Sequence, residues 1–140
     1  LGFCGGPAPL IKVLTNLQSQ STTNPCSITQ AAAVAALNGS NDVVYEFRDA
    51  FTKRIRHFVD ALSETKLKID MPDGTFYVFI DVSAYNQDDV AFAEALLNEQ
   101  LVAVVPGSAF GSPGNVRLSC AASQEDLDLA ATKIKQFITK

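Results

Sequence analysis

Leu101-Val102-Ala103-Val104-Val105-Pro106-Gly107-Ser108-Ala109-Phe110-Gly111, followed four residues later by Val116-Arg117-Leu118-Ser119-Cys120, is the stretch that decides the fold. The continuous apolar run from Leu101 to Val105 has the composition of a buried strand. Pro106 to Gly111 breaks it, because proline has no N–H for a ladder and glycine admits a tight turn. Val116 to Cys120 then alternates, with Val116, Leu118 and Cys120 on one face and Arg117 and Ser119 on the other.

Upstream of this pair, Asp88-Asp89 places negative charge at a helix start, and Phe92, Ala93, Leu96 and Leu97 form the expected buried face. Farther upstream, Lys66 to Ile69, a Pro72-Asp73-Gly74 turn and the aromatic, β-branched run Thr75 to Asp81 read as strands. Downstream, Ser123 with Asp126 is a capping-box pattern opening a last helix, whose Leu127, Ala130, Ile134, Phe137 and Ile138 face inward. The order from Leu67 is strand, strand, helix, strand, strand, helix. Residues 66–140 are therefore expected to form a small α/β layer domain.

The N-terminal part reads differently. Leu1 to Pro7 is strand-like, Leu10, Ile11, Val13, Leu14 and Leu17 recur at helical spacing, and Ser19 to Pro25 holds no apolar residue and reads as a polar loop. Ser27 with Gln30 suggests a capped, alanine-rich helix to about Leu37, ended by Asn38-Gly39 in a left-handed conformation. Residues 1–40 are expected to be the edge of another domain. Residues 41–65 are expected to be a linking helix with one apolar stripe, Val44, Phe47, Phe51, Ile55, Phe58, Val59 and Leu62. Starting on a strand with no leader before it, the chain reads as the interior of a larger protein.

At 140 residues and 47% hydrophobic content the chain can bury one substantial core. A net charge of −4 with mixed signs leaves no basic stripe to neutralise phosphates, which argues against nucleic-acid binding. No apolar run nears the roughly 20 residues that span a bilayer, so no membrane partner is expected. Three cysteines (Cys4, Cys26, Cys120), without CxxC spacing, and a single histidine make a zinc site improbable. Each cysteine reads as a small buried hydrophobe in a reducing compartment. That favours the cytoplasm, with a mitochondrial or plastid compartment as the alternative if a leader lies outside this chain.

Arg117 is the sharpest candidate for chemistry. Its planar fork matches a carboxylate bidentately, while an edge-strand arginine that blocks aggregation is an equal alternative. The PGSAFG turn lets backbone approach a ligand, with Phe110 as an apolar wall, though an ordinary turn has the same composition. His57, beside Arg54 and Arg56, reads as part of a solvated helix face. No serine-histidine-aspartate order, metal cluster or apolar carboxylate pair is present.

GFCGGP, LQSQSTTNP, the alanine helix, PDGTFYVF, VAVVPGSAFG and NVRLSCAAS occur in an order that resembles the C-terminal part of fold-type I, class I aminotransferases, nearest the bacterial-type aspartate aminotransferases. The resemblance covers essentially the whole chain. It implies the small α/β domain plus the last strand and helix elements of the large cofactor domain. Arg117 matches the arginine that binds the substrate α-carboxylate. Asn24 and Thr23 fall in a loop that reaches across a homodimer interface, where hydroxyls of Ser21, Thr22 and Thr23 lie near the partner subunit's cofactor phosphate. Phe76 and the Ser108 to Phe110 turn match elements that close over substrate.

The implied cofactor is pyridoxal 5′-phosphate, and the implied substrates are an amino acid, aspartate or a related one, and a 2-oxo acid. The family's Schiff-base lysine and phosphate arginine precede the segment matching Leu1, so no catalytic residue is assigned in this chain. Neither Lys12 nor Lys53 sits in the family's serine-lysine context. The 140 residues alone are expected to be inactive, since the proton shift needs both the cofactor and that amine. A stand-alone binding or dimerisation module on the same fold is the alternative, and aromatic, alanine or prephenate-type donors are the alternative substrates.

Overall fold

The computed structural model describes residues 1–139, and the chain divides into two compact units, the first Leu1–Val43 and the second beginning at Val44. In the first unit α1 (Ala8–Ser21) and α2 (Ser27–Asn38) are joined by a short turn. Pro9 sits in the first turn of α1, where a missing N–H costs nothing. No described residue of this unit is buried.

The second unit is a two-layer domain. β1 (Lys68–Ile69), β2 (Tyr77–Asp81), β3 (Val105–Pro106) and β4 (Asn115–Ser119) form one antiparallel sheet in the order β1-β2-β4-β3. α3 (Asp42–Leu62), α4 (Asp89–Gln100) and α5 (Gln124–Ile138) supply the other layer. Strand alternation sorts the faces: Val78, Ile80, Val116 and Leu118 join one core with Ile55, Phe58 and Leu62 of α3, Phe92 and Leu96 of α4, and Leu127 and Ile134 of α5. Phe92 and Phe137 meet edge to face, centroids 5.3 Å apart, fastening α4 to α5. The opposite sheet face carries Tyr77, Phe79, Asp81, Asn115 and Arg117, and it is there that a cleft opens.

The helix starts in this unit follow the expected chemistry. Asp88 Oδ1 accepts the N–H groups of Val90 (3.1 Å) and Ala91 (3.0 Å), and Ser123 Oγ accepts that of Asp126 (3.1 Å). Ser123 Oγ also donates to Asp126 Oδ2 at 2.8 Å, a side-chain pair in place of the reciprocal bond to the Ser123 N–H that a full capping box has.

Several expectations need correction. Leu1 to Pro7 forms no strand, because a strand needs a hydrogen-bonded neighbour and the described first unit has none. Helix α1 continues through the polar Ser19, Gln20 and Ser21, whose side chains tolerate the helix surface. Cys26, not Ser27, is the N-cap of α2, and Gln30 Nε2 reaches back to Pro25 O at 2.9 Å instead of completing a box. Gly39 is extended, with φ −79° and ψ 180°, so that helix ends without a left-handed cap.

Of Leu101 to Val105, only Val105 enters a strand, paired through Val105–Pro106. Leu101 itself takes φ 57° and closes α4, its N–H bonded to Leu97 O. That bond explains the loss of strand there: the apolar run begins as a helix cap. Leu97, Val44 and Phe47 are exposed, and Cys4 and Cys26 are exposed whereas Cys120 is buried. His57 is exposed, as expected of a solvated helix face, and its Nε2 lies 2.9 Å from Asp128 Oδ1 of α5.

Candidate functional site

Arg117 stands at the centre of β4, paired in register with Phe79 of β2 and Val105 of β3. Residues directly opposed in an antiparallel pair share a face, and the diagonal neighbour Tyr77 is within reach of a long side chain. The Arg117 guanidinium carbon lies 4.3 Å from the centroids of both the Tyr77 and the Phe110 rings. Each contact is worth about 1 kcal/mol. Together they hold the charge without neutralising it, and leave the edge of the fork, where the N–H donors are, available in the plane of the group.

The cleft around it has a volume of about 590 Å³. Tyr77, Phe79 and Phe110 wall it, Phe79 meeting Phe110 edge to face with centroids 5.9 Å apart. Lys68, Asp70 and Asp81 add charge at its rim. Asp81 does not serve Arg117: its Oδ1 accepts the Ser83 hydroxyl (2.6 Å) and N–H (2.9 Å), and its Oδ2 lies 4.0 Å from Lys68 Nζ. The Ser83 hydroxyl and N–H, more than Lys68, hold the Asp81 carboxyl below its usual range. Among the described residues no carboxylate lies within ion-pair distance of Arg117. A half-buried, unneutralised arginine in an apolar-walled cleft is equipped to take a carboxylate from solution.

The turn that carries Phe110 is a 3₁₀ helix, Gly107–Phe110, closed by Gly111 at φ 75°. Gly107 is required by space, since a Cβ there would sit 2.3 Å from Ser112 O and 2.7 Å from Asn115 O. Asp89, 4% exposed, is the one charged residue buried among those described, and its Oδ2 accepts the Ser108 N–H at 2.7 Å.

The other candidates lie elsewhere. Phe76 is half-buried and packs on Phe51 (5.5 Å) and Tyr77 (4.4 Å), while its neighbours Thr75 and Tyr77 line the cleft. Ser21, Thr23 and Asn24 line a separate hollow of about 620 Å³ within the first unit. There Thr23 takes φ 60°, its N–H bonded to Gln18 O at 2.9 Å, and Thr22 Oγ1 accepts from Gln18 Nε2. Sequence reasoning missed Tyr77 and Phe79, although the alternation that placed Arg117 would have found them from buried Val78 and Ile80. Nothing in the sequence marked Lys68 as lining a cleft, and Asp89 was legible only as charge at a helix start. No group of three or more His, Cys, Asp or Glu side chains among the described residues is placed to hold a metal ion.

The fold defines the class: a fold-type I aminotransferase architecture, of which this chain carries a mixed α/β part. The model of aminotransferase class I and II matches residues 1–134, and the chain belongs to that family. It is 42% identical over 146 residues to the aspartate aminotransferase of Bacillus subtilis (strain 168), covering 100% of this chain and 37% of the relative. With the aspartate/prephenate aminotransferase of Cereibacter sphaeroides it shares 43% identity over 148 residues, 98% of this chain and 37% of the relative. The aspartate aminotransferase of Thermus thermophilus with maleate superposes with a TM-score of 0.88 at 40% identity, over 94% of this chain and 35% of that one. The aromatic aminotransferase of Pyrococcus horikoshii OT3 gives 0.89 at 32% identity, over 95% and 37%. The chain thus spans little more than a third of the length of these relatives.

Proposed function

We propose that these residues supply the carboxylate-recognising part of a pyridoxal-phosphate-dependent aminotransferase that moves an amino group from aspartate or a related amino acid to a 2-oxo acid. The observation that carries this is Arg117, held against the rings of Tyr77 and Phe110 with no carboxylate among the described residues within ion-pair distance. Amino acid and 2-oxo acid share one feature, the carboxylate next to the reacting carbon. A single bidentate arginine therefore serves both half-reactions, orienting each substrate before chemistry.

In this reading residues 1–40 are the edge of the large cofactor domain, residues 41–65 the linking helix and residues 66–140 the small domain. Phe76 stiffens the wall behind Tyr77, and Asn24 stands at the substrate end of the N-terminal loop. Ser21, Thr22 and Thr23 offer hydroxyls to the phosphate of the neighbouring subunit's cofactor in a homodimer. The first unit's hollow fits the phosphate end of that cofactor in kind, with hydroxyl and amide donors, but no lysine lines it to meet the aldehyde end. Pyridoxal phosphate supplies the electron sink when bound. The residues described here bind and orient; the 140-residue chain by itself should not transaminate.

Arg117→Ala in the complete enzyme should raise KM for amino acid and 2-oxo acid alike, lowering kcat/KM by about 100-fold or more, the scale of a lost charge-assisted pair of about 3 kcal/mol. Steady-state kinetics in both directions measures it. Unchanged kinetics would remove Arg117 from the site.

A further inference from the structure

Phe110 is 48% exposed, its ring meets Phe79 edge to face on one side, and its place over Arg117 depends further on the backbone of the Gly107–Phe110 turn. That backbone is tied to a side chain from outside the turn, Asp89, whose carboxylate is also held by the Ser108 hydroxyl and the Gly114 N–H. Asp89 Oδ2 accepts the Ser108 N–H at 2.7 Å, across 19 residues of sequence. Asp88 caps α4 through the N–H groups of Val90 and Ala91, while the Asp89 side chain is buried and reaches the turn. A carboxylate buried to 4% exposure must be held by strong donors, and a 2.7 Å N–H bond to the start of a 3₁₀ turn is of that kind. Asn115, the first residue of Arg117's strand, closes the other side of the loop, Nδ2 to Ser112 Oγ at 3.1 Å.

We propose that Asp89 is a positioning residue for carboxylate recognition: its bond to Ser108 sets the turn, the turn sets the Phe110 ring, and the ring holds the Arg117 guanidinium in its binding plane. This rests on Arg117 being the carboxylate anchor. The Ser108 N–H keeps the Asp89 carboxyl below its ordinary range, so the bond is charge-assisted throughout the working pH range. The consequence is a KM effect without a matching loss of kcat, since Asp89 touches neither substrate nor cofactor.

The test is made in the complete, cofactor-loaded enzyme. Asp89→Ala should raise KM for both amino acid and 2-oxo acid about tenfold with kcat within twofold. Asp89→Asn, whose amide oxygen still accepts from Ser108, should raise it only about threefold. In a Phe110→Ala background neither substitution should change KM further, which a general loss of stability would not produce. Unchanged KM in Asp89→Ala, or full additivity with Phe110→Ala, overturns the proposal. Where Asp89→Ala does not fold, Asp89→Asn decides, and a KM equal to wild type refutes it. Arg117→Ala run alongside separates the two claims: if it leaves KM unchanged, the anchor reading itself fails, whereas a raised KM there with silent Asp89 variants refutes only the positioning role.

Discussion

Arg117 was legible because one residue of the wrong polarity sat in an alternating strand; the rings that hold it were equally implied but lay on a different strand. Pairing register, which joins Phe79 to Arg117, is set by the whole sheet and is not written at either residue. Cys120 was read correctly as a buried hydrophobe, whereas Cys4 and Cys26 sit in similar local sequence and are exposed. Burial is a property of what packs against a residue, and neighbours in sequence do not reveal that. Desolvation pushes the Cys120 thiol up to about 11 from 9.0. A raised folded-state value means the contribution to stability is complete below 9.0 and is lost as pH rises through about 11, because the unfolded chain ionises first. Native protein at pH 8 should therefore leave Cys120 unalkylated by iodoacetamide while denatured protein reacts fully. Rapid labelling of the native state would contradict its burial.

Among the elements, the starts of α4 and α5 were legible, the first as helix-start charge and the second as a serine cap, because cap chemistry is local: an Asp or Ser oxygen and the N–H groups two or three residues on. The strand expected at Leu101 failed for a related reason, since apolar composition does not tell a strand from the last turn of a helix. Leu1 to Pro7 failed because a strand depends on a partner elsewhere. Asp88 answers two N–H groups at once. Asp88→Ala should lower unfolding free energy by about 1 kcal/mol, read as a shift of the urea midpoint with unchanged m. An unmoved midpoint would show that α4 is held by its packing alone.

At the scale of the whole molecule, the second unit closes a core from three helices and a sheet, whereas no described residue of Leu1–Val43 is buried. Its helices carry apolar residues such as Leu10, Val13 and Leu17 on the surface. Their periodicity announced the helix correctly, and an apolar stripe left on a helix surface is one half of an interface. The order of motifs along the chain, more than any single motif, carried the family, and the family match over residues 1–134 agrees with it. What the residues contribute to the proposed reaction is recognition, concentrated in one stacked arginine. The most direct test is a crystal structure of the complete enzyme with a dicarboxylate such as maleate bound. One maleate carboxylate should meet Arg117 through two N–H···O contacts of about 2.8 Å, in plane with the guanidinium between Tyr77 and Phe110. Maleate bound with neither carboxylate in contact with Arg117 would contradict the account.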